Sequence, residues 1–156
     1  MKAPRHAPHA FGLGIPHRRK AVLYLAFAVL FSSGILWLLF HYFLMRQGEF
    51  GLEPHPLEAW WLRLHGAAAF VMLSFGGLLW GTHARPALMQ PRWRASGIAI
   101  VVLLVLLAAS GYLLYYAAGD AWRDGARLAH WLLGLTLALP LLVHVVGVRR
   151  GRRRNR

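Results

Sequence analysis

Polar residues divide the chain into four long apolar stretches, Ala21–Met45, Trp60–Thr82, Ile98–Ala118 and Leu128–Val148. Each is long enough for one bilayer crossing, because about 20 apolar residues span the hydrocarbon layer as a helix. The pattern predicts an all-α, integral membrane domain over 21–148, with helices over about 21–45, 59–83, 97–118 and 126–148 arranged as an up-down-up-down four-helix bundle. Ser32, Ser33 and Gly34 in the middle of the first stretch permit close helix contact. The connection RQGEFGLEPHPLEAWW carries the Gly and Pro punctuation of a turn. Residues 1–20, rich in Pro, Gly, His and basic residues, read as a disordered tail, and 149–156 as a second basic tail.

Four polar exceptions interrupt these stretches. His130 and His144 lie 14 residues apart in the last one, within about 40° of each other at about 100° per residue. His65 and His83 are 18 residues apart at either end of the second, which is five full turns, so both rings fall on one face. Gly76 lies within about 20° of that face, and Gly134 follows His130 by one turn. Glycines between co-facial histidines leave a flat groove where a planar group can approach the backbone. Ionisable rings inside a membrane are costly and face the interior of the bundle. His41 sits among Trp37, Phe40 and Tyr42 at the end of the first stretch and reads as an interfacial residue. Met89, between two prolines in a loop, is a poor ligand candidate.

Composition narrows the chemistry. The chain of 156 residues is 58% hydrophobic and has no cysteine. Disulfides, thiolate sites and covalent haem attachment are therefore excluded, and any haem is held by His or Met. A closed zinc site needs four ligands together, and no carboxylate accompanies these histidines in the bilayer. The net charge of +13 is unevenly spread. The two tails and the middle loop carry 14 Lys and Arg and no acid, whereas the first and third connections, with adjoining helix ends, hold all five acids. The positive-inside rule puts both termini in the cytoplasm. The basic excess is thus a signal of topology and of attraction to the lipid bilayer surface, not of nucleic acid.

With that topology the second and fourth helices both run from outside to inside. His65 then pairs with His130 toward the outer face, and His83 with His144 toward the cytoplasm, as axial ligands of two haem b groups held between diagonal helices. The spans differ, about 27 Å for 18 residues against about 21 Å for 14, which makes the outer pair the more secure. Arg85, two residues beyond His83, is a candidate partner for haem propionates. No side chain suggests bond-making catalysis.

At Leu64-His65-Gly66, Gly81-Thr82-His83-Ala84-Arg85, Ser110-Gly111-Tyr112-Leu113-Leu114-Tyr115-Tyr116, His130-Trp131 and His144 followed by Gly147, the chain resembles bacterial membrane-bound cytochrome b-type four-helix di-haem proteins. These are related to the cytochrome b subunits of formate dehydrogenases and hydrogenases, and the likeness is to a small stand-alone branch. The resemblance implies a multi-pass protein of the bacterial inner membrane that carries electrons between its haems and a quinone or a partner redox protein. It implies His65, His83, His130 and His144 as iron ligands, with Gly66 beside one of them. The alternative from a different class is a haem-free integral membrane scaffold or assembly subunit.

Overall fold

The computed structural model describes residues 15–88 and 94–154 and is about 87% helical. Helix α1 spans His17–Phe43, and α2 spans Pro56–Leu79. A π turn over Trp80–Ala84 and a short helix α3, Arg85–Leu88, follow α2 without a break. Helix α4 spans Arg94–Tyr116 and α5 spans Asp120–Arg154. Among the described residues four runs are long and apolar enough to cross a membrane: His17–Phe43, Pro56–Ala84, Ala95–Tyr116 and Asp120–Gly151. The shortest has 22 residues, about 33 Å of helix, which clears a hydrocarbon layer of roughly 30 Å. Large apolar side chains such as Leu25, Leu78, Leu139 and Leu142 are exposed on these runs, as contact with lipid requires.

The helices extend past the apolar stretches. Residues 17–20 of the expected tail are helical, and α5 takes in both the polar turn at Asp120 and the Arg-rich segment through Arg154. Hydropathy marks where lipid begins, whereas Leu and Arg propagate a helix about equally well in water. Asp120 in the first turn of α5 also opposes the positive end of the helix dipole. The remainder of the expected N-terminal tail, residues 1–14, and Met89 lie outside the described residues. The connection between α1 and α2, read from sequence as a turn, is a small antiparallel hairpin of β1 (Arg46–Gly48) and β2 (Gly51–Glu53). Gly51 adopts φ of +122°, a backbone region that glycine enters without a Cβ penalty.

Packing is strongly paired. Helix α1 lies along α2, and α4 along α5, whereas α1 touches α5 only lightly. His41 meets Glu58 while Leu30 meets His65, so α1 and α2 run antiparallel. Ser110 meets His130 while Ser96 meets His144, so α4 and α5 do too. Small residues line these seams. Among the described residues, the buried ones are Ala26 and Ser33 of α1, Ala68 of α2, Ser110 of α4, and Ala126 and Leu137 of α5. Close approach of small residues supplies the van der Waals contact that holds helices together where water provides no hydrophobic drive.

Candidate functional site

A cleft of about 2690 Å³ runs between the two helix pairs and is lined by all four long helices. That is well above the roughly 300–1,000 Å³ typical of a pocket for one small ligand. His65, His83, His130 and His144 all line it, as do Gly66, Gly76 and Gly134. A Cβ placed on Gly66 or Gly76 would meet nothing within 4 Å, so the wall there is bare backbone facing open space. A Cβ on Gly134 would touch only the Leu107 side chain at 3.8 Å.

The rings of His65, on α2, and His130, on α5, face each other with centroids 6.1 Å apart and planes at 79°. Each is anchored by Nδ1 to its own helix pair. His65 Nδ1 lies 2.9 Å from the Leu30 carbonyl and 3.4 Å from Ser33 Oγ. A carbonyl only accepts, so Nδ1 carries the proton and donates, and Nε2 is left with a free lone pair. Ser33 Oγ itself donates to Leu30 O at 3.0 Å, which leaves its oxygen to accept from the ring. His130 repeats this arrangement. Its Nδ1 is 3.0 Å from Ser110 Oγ, and that hydroxyl donates to Leu107 O at 3.2 Å. Nδ1 is therefore engaged on both rings, and the rings meet edge-on.

At the other end His144 Nδ1 is 3.0 Å from Ser96 Oγ, and His83 lines the same cleft. His83 lies inside the π turn, where the Arg85 N–H bonds to Trp80 O. Bonds from i to i+5 take one more residue per turn than an α-helix does. The turn thus absorbs part of the difference between the 18-residue span on α2 and the 14-residue span on α5.

Arg85 is exposed and does not line the cleft. A residue two positions beyond His83 points about 200° away on a helix, and the chain remains helical through both. Lys20 and Arg149 line the cleft near the ends of α1 and α5 that adjoin the basic tails, and Arg123 and Arg127 line it at the opposite end. His41 also lines the cleft. Its Nδ1 is 2.7 Å from Glu58 Oε1, and its ring stacks on Trp37 with centroids 4.7 Å apart. It is thus paired with an acid as well as packed among aromatics.

Sequence reasoning found the four histidines and the glycine-lined wall but not the residues that hold the rings. Those are Ser33, Ser96 and Ser110. The available signal was the Ser-Gly dipeptide, which occurs at 33–34, 96–97 and 110–111 and each time places its hydroxyl on an imidazole. Among the described residues no group of three or more His, Asp or Glu converges as a metal cluster would. The arrangement brings two imidazoles, His65 and His130, together rather than building an all-protein cage. No family model matches the chain, and neither a curated protein nor a solved structure matches it.

Proposed function

We propose that the chain is a multi-pass electron carrier of the bacterial inner membrane. It is an up-down-up-down bundle with both termini cytoplasmic, and it holds two haem b groups in the cleft. His65 and His130 are the axial ligands of the outer haem, and His83 and His144 those of the inner one. The opposed pair His65–His130 carries this reading. Two imidazoles bound to one metal from opposite sides, at about 2 Å per bond, have centroids about 6 Å apart. The observed 6.1 Å fits that requirement, and both rings have Nδ1 engaged and Nε2 available. The bare backbone at Gly66 and Gly76 suits the flat face of a macrocycle, and the cleft is large enough for two.

When bound, haem supplies one-electron exchange between ferric and ferrous iron. The protein's part is to ligate, to orient and to keep water out. Leu30, Ser33 and Ser110 fix the tautomer of the outer ligands. The apolar lining lowers the local dielectric, which adjusts potential. Arg123, Arg127, Lys20 and Arg149 at the cleft ends are better placed than Arg85 to meet haem carboxylates. A quinone pool or a partner oxidoreductase would supply and remove electrons. The basic residues gathered on one side support the orientation, and the same side attracts anionic lipid.

The test is a reduced-minus-oxidised visible spectrum of protein purified from cells supplied with haem. A b-type spectrum at two haems per chain is the expected result. A sample with no haem absorbance would overturn the reading and leave the integral membrane scaffold.

A further inference from the structure

We infer that Ser33, Ser96 and Ser110 are positioning residues that seat the imidazoles and set how strongly those rings donate to a metal; this rests on the bis-imidazole reading above. Two seats share one sequence, Leu-x-x-Ser-Gly, at Leu30–Gly34 on α1 and Leu107–Gly111 on α4. They also share one geometry. In each, the serine hydroxyl donates to the leucine carbonyl one turn back, at 3.0 Å for Ser33 and 3.2 Å for Ser110. In the first seat carbonyl and hydroxyl together meet Nδ1–H of His65, and in the second the hydroxyl meets Nδ1–H of His130, each ring being on the next long helix.

The glycine of each seat makes room for the ring. A Cβ on Gly34 would lie 3.0 Å from Cε1 and 3.1 Å from Nδ1 of His65, and one on Gly111 would lie 3.3 Å from Cε1 of His130. Any larger residue would push the imidazole off its partner. The two serines are also the buried polar residues among those described, at 0% and 6% exposure. A hydroxyl is seldom placed so deep in an apolar seam unless it is bonded.

Helix α4 carries two seats in register with two rings. Ser96 and Ser110 are 14 residues apart, as are His144 and His130, so antiparallel packing aligns both pairs at once. Each seat is an outer-shell partner of a ligand. An imidazole that donates its Nδ1–H to a good acceptor becomes a more basic ligand at Nε2, and a more basic ligand favours the ferric state. Removing the acceptor should raise the reduction potential of the haem that the ring serves and of no other.

The experiment is a redox titration of the full-length haem-loaded protein against Ser110→Ala and Ser96→Ala. Ser110→Ala should shift only one of the two haem components upward and Ser96→Ala only the other. A tenfold loss of ferric preference corresponds to about 59 mV for one electron. Haem retention should fall about tenfold or more in each, in line with other outer-shell losses. Ser110→Cys, close in size and a poor acceptor, reads the same quantity should the alanine variant fail to accumulate. Unchanged potentials in haem-loaded Ser110→Ala or Ser110→Cys would overturn the seat assignment while leaving haem binding intact. Both variants shifting the same component would overturn it too. A haem-free wild type would instead overturn the bis-imidazole reading itself.

Discussion

His65 and His130 face each other at 6.1 Å and 79°, yet their Nδ1 atoms are tied to different helices, His65 to Leu30 on α1 and His130 to Ser110 on α4. Each ring is thus fixed by its own hairpin, and the gap between them is set by how the two hairpins approach. His130→Ala should remove the outer haem and spare the inner one, halving haem per chain in a pyridine haemochrome assay. Equal loss of both haems from a folded protein would argue against two independent pairs.

The glycines divide into two classes with opposite expectations. Gly34→Ala drives a methyl into His65, an overpacking that costs about 1–3 kcal/mol; thermal unfolding in detergent should report it even without haem. At Gly76 an added Cβ would meet nothing within 4 Å, so Gly76→Leu extends into the cleft that this residue lines. It should leave helicity and the haem-free melting temperature nearly unchanged while lowering haem occupancy. Loss of stability in haem-free Gly76→Leu would show that the wall at Gly76 is packed rather than open.

His41 and Glu58 join α1 and α2 near the hairpin that connects them, at 2.7 Å, with side chains 34% and 14% exposed. Partial exposure keeps such a pair modest, and removing the acid with Glu58→Ala should destabilise the protein by about 1 kcal/mol. The outer haem, anchored two turns further in at His65, should retain its spectrum. A spectral shift in Glu58→Ala would instead tie this pair to the haem environment.

The absence of native cysteine makes single-cysteine labelling a clean test of orientation. Glu49→Cys and Asp124→Cys should react with a membrane-impermeant maleimide in intact spheroplasts. Arg18→Cys and Arg149→Cys should react only after lysis. The reverse pattern would invert the assignment of outer and inner sites.

The membrane-crossing runs are legible in the sequence because lipid demands about 20 apolar residues whatever the helices pack against. The co-facial spacing of His65 with His83 and of His130 with His144 is legible for a similar reason, since helical periodicity is local. The ends of the helices are less so. Hydropathy changes at Val148 whereas α5 runs on to Arg154, because a backbone ladder continues through charged residues as readily as through leucine. Arg85 is exposed and lies off the cleft lining, since a neighbour two positions away on a helix looks elsewhere.

Taken alone, the sequence determined how many long apolar stretches there are, where imidazoles fall within them, and that the chain has no thiol. Those properties follow from composition and from the period of one helix. Tertiary structure decided that α1 pairs with α2 and α4 with α5, that Ser33 and Ser110 occupy the seams under the rings, and that the π turn at Trp80–Ala84 adjusts the longer span. Each of these depends on the register between helices, which is set by which small residues let two backbones approach. Ser33 and His65 are 32 positions apart, and Ser96 and His144 are 48 apart; only the packed helices bring them within hydrogen-bond reach.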